Sequence, residues 1–391
     1  MRNLSLNIKL QSIRFFTIVL GSLVLISGCS SPVFSTSRKP NHSASFAITK
    51  TCFLGPVWNR GHAKASIISQ DGGYSFPVPG GTLWWFGDTF KGTRDRTGRP
   101  NFKGGAVSCS VAFLPGSQKQ TPPVLQYLTD KNDTVVSPLH FLPGESWEHN
   151  RIWPLAGIYL NGKSYIYYTL IEITGNGMWN FKGTGSGLAC STEPIGHYQR
   201  LLKHGQWEYP AAPAQIINAG QWLYLFEVAK KHDQQGIWLY RVLPNEIENP
   251  NAYQYYCGHD SKFSDEKDGQ VLFLPEVYGQ VSIAWNEYLQ KYVMAGSSDF
   301  WHPREIFFRT AEKPYGPWSA HTAKIMVPEY LQGKKVELVY CSFLHPELFR
   351  CNGRIMTLTF SVQLKDSGFD ANNEVLEFEI KKLSGAKESQ N

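Results

Sequence analysis

Two aspartates carry the chemistry this sequence offers most directly. Asp71 sits in SQDGGY, and Asp88 follows the aromatic run LWWFG, seventeen residues further on. A hairpin between them would return both side chains to one rim. Two carboxyl groups sharing a small hollow repel when both are ionised, which raises the pKa of one. Such a pair divides into an acid and a base, as hydrolysis of a glycosidic bond requires. Each residue also has a plainer reading. Asp71 can close an Asx turn ahead of Gly72-Gly73, and Asp88 can cap the turn after a strand.

Aromatic and polar residues near expected strand ends extend the candidate site. Sugar rings present apolar C–H faces that stack on aromatic rings, and Trp84, Trp85, Trp147, Trp153, Trp179 and Trp301 are numerous for such positions. Successive strand residues point to opposite faces, so at most one of Trp84 and Trp85 can face the channel. Trp85 and Trp153 are taken as substrate contacts. Glu148 in SWEHNRIWP, Glu276 in LPEVYG, Asp299 and Arg304 in SSDFWHPRE, and His345 in FLHPEL are added to them. The bland readings are interblade filling for the aromatics, a solvated loop for Asp299, His302 and Arg304, and a satisfied structural histidine for His345. No GxxxxGK[ST] loop, GxSxG elbow or HExxH pair occurs, so neither a cofactor nor a metal is expected.

The elements that would position these residues recur. Five segments read as strand, tight turn and aromatic-rich strand: 75–90, 155–171, 214–229, 281–297 and 345–362, with turns at Gly81, Gly162, Gly220, about Leu289, and Gly353. Asn-Gly at 161–162 and 352–353 suits a two-residue hairpin turn. A further strand-like run follows each hairpin, at 106–114, 186–192, 236–243, 304–311 and 374–383. Five units of about four strands predict an all-β, five-bladed propeller, whose innermost strands converge on a central channel. A β-sandwich with accidental self-similarity is the competing fold.

Composition agrees. Hydrophobic residues make up 42% of the 391, enough for a large core, and the 14% aromatics with abundant Gly and Pro argue against a long-helix protein. The net charge of +6 includes three basic residues, and no acid, in the first 28 positions. The remaining +3 is weak for a nucleic-acid binder. Residues 15–26 form an apolar run of 12, too short to span a bilayer, and Ile26-Ser27-Gly28-Cys29 resembles a lipobox. We therefore read 1–28 as a lipoprotein signal peptide, Cys29 as the lipidated residue, 29–47 as a Ser/Pro-rich tether, 48–385 as the propeller and 386–391 as a tail. Ser30 after the cysteine leans towards the outer membrane. The six other cysteines show no zinc spacing, and Cys341 with Cys351 is the one pair worth testing as a disulfide.

The ordered set FGDTF after SQDGGYSF, LAGIYLNGKSYIYYTLIEI, WLYLFEVAKKHDQQGIWLYRV, VSIAWNEYLQKYVMAGSS and FFRTAEKPYGPWS resembles the domain of unknown function 4185 family over residues 50–382. That resemblance implies a five-bladed propeller. It also implies an activity like that of members placed in glycoside hydrolase family 183, endo-D-arabinanases acting on cell-wall D-arabinofuranose chains, with Asp71 and Asp88 as the catalytic pair. The chain departs from the family pattern at Gln280, where an acid often stands, and in KKHDQQG of the third blade. The expectation is an exported, lipid-anchored, monomeric glycoside hydrolase acting on an arabinan-like polysaccharide. The alternatives are a non-catalytic carbohydrate-binding propeller and a protein-binding scaffold.

Overall fold

The computed structural model describes residues 45–57, 67–96, 100–118, 120–176, 180–202, 209–258, 262–297, 303–320, 323–331, 333–365 and 371–383. Cys29, the leader, most of the tether, Asp299 and the terminal tail lie outside them. Among the described residues there is no α-helix, only strands and single-turn 3₁₀ segments.

The first strand, β1 (Phe46–Pro56), belongs to the last blade. Blade 1 holds β2 (Ile67–Val78), β3 (Gly81–Lys91) and β4 (Ser110–Pro115). Blade 2 holds β5 (Asn150–Leu160), β6 (Lys163–Ile173) and β7 (Phe181–Ser191). Blade 3 holds β8 (Gln215–Ala219), β9 (Trp222–Lys231) and β10 (Gln234–Val242). Blade 4 holds β11 (Val281–Asn286), β12 (Lys291–Ser297) and β13 (Glu305–Ala311). Blade 5 holds β14 (Lys334–Leu344), β15 (Ile355–Leu364) and β16 (Ala371–Lys382), with β1 added at its outer edge. Short edge strands complete blades 1 to 4, and all pairings are antiparallel. The innermost strands β2, β5, β8, β11 and β14 each contact the next, and β14 contacts β2, so the ring is closed. The expected propeller is the fold observed.

The core is divided among the five seams between blades. Separate hydrophobic clusters join blades 1 and 2, 2 and 3, 3 and 4, and 4 and 5, and a fifth, around Trp84, Phe86 and Val375, joins 5 and 1. A blade's sheet is therefore covered on both faces. Strands here read as nearly continuous apolar runs, such as LWWF at 83–86, because neither face meets water.

Local turn chemistry follows the sequence at two places. Asn161 and Gly162 take φ of 49° and 83°, the left-handed pair of a tight hairpin. In the third blade the divergent KKHDQQG makes the same turn with His232 and Asp233, at φ of 49° and 60°.

The fifth hairpin differs from the reading. Residues 345–354 are a connection with two 3₁₀ turns, and the arm that pairs with β15 is β14, upstream. Gly353 serves a close approach instead: a Cβ there would sit 2.7 Å from Asn286 Nδ2, which donates to the Gly353 carbonyl at 2.8 Å. Cys341 and Cys351, the one pair worth testing as a disulfide, are not bridged. Cys341 lies within β14, Cys351 is exposed in the connection, and both are free thiols.

Candidate active site

Asp71 and Asp88 meet because the β2–β3 ladder is deliberately irregular. Between the pairs Gln70–Thr89 and Gly72–Phe86, Asp71 alone opposes Gly87 and Asp88; between Gly72–Phe86 and Tyr74–Trp85, Gly73 is the extra residue. These successive bulges re-aim side chains at the strand end. Residues facing each other across an antiparallel pair have Cβ atoms about 4.5–5.5 Å apart, so two carboxyl groups are brought to one spot. Gly87 makes room: a Cβ at that position would lie 2.3 Å from Asp71 Oδ1. The neighbouring Gly72 is clamped by blade 5, its N–H donating to Ser361 Oγ at 3.1 Å and its carbonyl accepting from Asn373 Nδ2 at 2.6 Å.

Both aspartates line a cavity of about 440 Å³. Its wall draws on blade 1, on Trp153 and Phe181 of blade 2, on Gln280 at the start of blade 4, and on Tyr340 and Cys341 of blade 5. Trp153 meets Phe181 edge to face with ring centroids 4.9 Å apart, giving the wall a large apolar portion.

The two carboxyl groups have different partners. Asp71 is pushed up to about 7, first by burial and then by the neighbouring Asp88, against a weak hydrogen bond from Tyr340 Oη to Asp71 Oδ2 at 3.3 Å. Asp88 is pushed up to about 6 by burial, opposed by Arg151 and by the Trp153 indole. Trp153 Nε1 donates to Asp88 Oδ1 at 3.0 Å, and Arg151 Nε lies 3.8 Å from Asp88 Oδ2. Arg151 is itself fixed: its guanidinium stacks 3.5 Å from the Trp147 ring centroid, and its Nη1 donates to the carbonyls of Trp147 and Asn150. Asp71 is thus the better proton holder and Asp88 the better anion. The Cys341 thiol and the Tyr340 phenol are both pushed well above their ordinary values, by burial first and by Asp71 next, so neither is an anionic nucleophile near neutrality.

Of the residues singled out from sequence, the structure brings Asp71, Asp88 and Trp153 to one cavity. Trp85 is fully buried in the seam between blades 1 and 2, edge-on to Tyr198, while Trp84 fills the seam between blades 5 and 1. Strand alternation separates the two tryptophans as expected, but each face of this sheet is a blade seam, so neither faces the cavity. His345 is fully buried too: it stacks on Trp84 at 3.8 Å, and its ring nitrogens bond Ser75 Oγ at 2.9 Å and Thr359 Oγ1 at 2.8 Å. It ties blade 5 to blade 1 and does not line the cavity. Glu148 and Glu276 are exposed away from the cavity wall. Arg304 spends its guanidinium on the Val327 carbonyl at 3.0 Å. Asp299 lies outside the described residues.

Arg151, Phe181, Tyr340 and Cys341 were not anticipated. Arg151 precedes Trp153 by two in a strand, so the two share a face, and that spacing was visible in NRIWP. Tyr340 and Cys341 were hidden by the misplacement of the fifth hairpin. Among the described residues, no group of three or more His, Cys, Asp or Glu side chains is arranged to hold a metal ion.

Comparison with known proteins adds the following. The model of a family described as "Domain of unknown function (DUF4185)" matches residues 58–365. The crystal structure of a candidate hydrolase from Bacteroides ovatus ATCC 8483 superposes with a TM-score of 0.62 at 16% identity, covering 87% of this chain and 93% of that one. A GH43_1 enzyme from Xanthomonas citri gives a TM-score of 0.45 at 12% identity, over 86% and 92% of the two chains. An α-L-arabinofuranosidase from Podospora anserina gives 0.44 at 8% identity, over 86% and 97%. No curated protein sequence matches. At such identity the first superposition shows a common fold and nothing of the chemistry, and the other two are too loose to bear on the site.

Proposed function

The chain belongs to the DUF4185 family, and from that premise we propose that it is an exported glycoside hydrolase acting on a furanoside-containing, arabinan-like polysaccharide. The observation that carries this reading is the pair of unequal carboxyl groups, Asp71 and Asp88, on one wall of a largely apolar cavity. Asp71 enters the reaction protonated and gives its proton to the glycosidic oxygen as the bond to the anomeric carbon breaks. Asp88 enters ionised and meets the positive charge that develops on that carbon, either by bonding to it or by taking a proton from the attacking water. Water supplies the new hydroxyl in both routes. The Trp153 and Phe181 rings offer apolar surface to the sugar's C–H faces.

The test is incubation with arabinan, arabinogalactan and fructan, reading released oligosaccharides. Product from the wild type, lost in Asp71→Asn and Asp88→Asn, supports the reading. Glycan binding without product, retained in both variants, would instead make the protein a carbohydrate-binding propeller.

The charge arrangement sets the pH profile. Activity needs Asp88 ionised and Asp71 protonated, so kcat/KM should be bell-shaped, with an acid limb near pH 6 and an alkaline limb near pH 7, both belonging to the coupled pair. Arg151→Met removes the cation that favours ionised Asp88. The acid limb is then expected to move up by about 1 pH unit, narrowing the bell. An unmoved acid limb would remove Arg151 from the site's electrostatics.

Export and anchoring rest on the sequence pattern ending at Cys29. Replacing Cys29 by serine is expected to shift the protein from the membrane fraction to the soluble fraction of its host, and an unchanged distribution would argue against the lipid anchor.

A further inference from the structure

Among the described residues, several polar side chains of the cavity wall have hydrogen-bond partners. Tyr340 donates to Asp71, Trp153 donates to Asp88, and Thr169 Oγ1 donates to the Gly185 carbonyl at 3.1 Å. Ser69 and Gln363 have partners as well. Gln280 lines the same cavity, yet its Oε1 is buried with no hydrogen-bond partner. A carbonyl oxygen removed from water and left unpaired is costly, and a hydroxyl donor brought by a ligand would offset that cost. Gln280 stands at the start of β11, in a blade not adjacent to the one holding the two aspartates, so it reaches the hollow from another side. The wall contains no Lys, Arg or His among its described residues; its only charged groups are Asp71 and Asp88.

We propose that Gln280 is the specificity-determining residue of the cavity, accepting a hydrogen bond from a hydroxyl of an uncharged glycan unit and fixing that unit against the aspartate pair. A hydroxyl donor satisfies an amide oxygen without bringing charge. An acidic sugar would set a carboxylate against two others with no cation in the wall to receive it. The proposal rests on the hydrolase reading and names the kind of substrate the site accepts.

The test uses the full chain as wild type, Gln280→Met and Gln280→Glu, with a neutral arabinan oligosaccharide and its carboxylated (C-5 oxidised) counterpart as probes. Methionine keeps the volume and removes the amide. It should raise KM for the neutral probe about tenfold or more with kcat little changed, and it should leave the melting temperature unchanged or higher, because a buried orphan has gone. Glutamate restores an acceptor, so KM should return towards wild type, while the alkaline limb moves up because a third carboxylate faces Asp71. Wild type should prefer the neutral probe at least tenfold. An unchanged KM in Gln280→Met, a lowered melting temperature with kcat and KM falling together, or preference for the acidic probe would each overturn the proposal. If the wild type cuts neither probe, the hydrolase reading fails by itself, and calorimetric binding of the neutral probe to wild type and Gln280→Met then decides the role of Gln280. Equal affinity, or no affinity for either protein, ends it.

Discussion

Replacing Asp71 by asparagine should lower turnover by about 10²–10⁴-fold, the range of a lost general acid, while the fold becomes no less stable. Asparagine has nearly the same shape, so the space beside Gly87 is still filled and the Tyr340 hydroxyl still finds an acceptor. What it lacks is a proton to give. The stability side follows from the raised affinity of Asp71 for its proton. Between its ordinary value of 3.8 and about 7, the folded protein holds that proton more tightly than the unfolded chain does. Folding stability from this group is therefore fully present below about pH 4 and falls as pH rises to about 7. The carboxylate is partly accessible from the cavity, so the loss amounts to no more than a few kcal/mol. Asparagine, neutral throughout, removes that slope. Melting temperatures at pH 5 and pH 8 should differ less in Asp71→Asn than in the wild type, and at pH 8 the variant should melt at the higher temperature. Full activity in the variant would sink the assignment of Asp71. A drop in melting temperature at pH 8 would sink the account of its burial.

The pair itself could be picked out in the sequence because a hairpin is a local device. Seventeen residues and one turn return a chain to its start, and the aromatic run between Asp71 and Asp88 identifies the strands. The blades were legible for the same reason, each being a meander of neighbouring strands. What escaped was set by contacts between blades. Trp85 and His345 have the chemistry of sugar-binding residues, but seams on both faces of each sheet claim them for packing. Tyr340 and Cys341 stand at a bulge in β14, with Cys341 at a φ of 52°, a conformation that nothing in VELVYCSFL announces. Gln280 is conspicuous only once its oxygen is seen to be buried and unpaired.

Ring closure makes the second large expectation. Phe46→Ala should cost about 3–5 kcal/mol, a sizeable share of the stability of an ordinary domain, and lower the melting temperature by about 5–15 °C. Phe46 opens β1, is 1% exposed, and meets Phe308 of blade 4 edge to face at 6.1 Å; Phe308 in turn lies 5.1 Å from Phe378 of β16. One side chain thereby fastens the N-terminal strand onto a blade built from the C-terminal end of the propeller and packs that blade against its neighbour. The consequence reaches the site, because β16 also carries Asn373, which holds the Gly72 carbonyl beside Asp71. Weakening blade 5 should free Gly72 before the remaining sheets melt. In Phe46→Ala, activity on heating is accordingly expected to vanish below the temperature at which far-UV circular dichroism reports loss of strand. Coincident loss would mean that the ring unfolds as a unit, and an unchanged melting temperature would mean that β1 does not close it. The catalytic geometry is thus held from outside its own blade: the hairpin brings the aspartates together, and the closing seam keeps Gly72, and with it Asp71, in register.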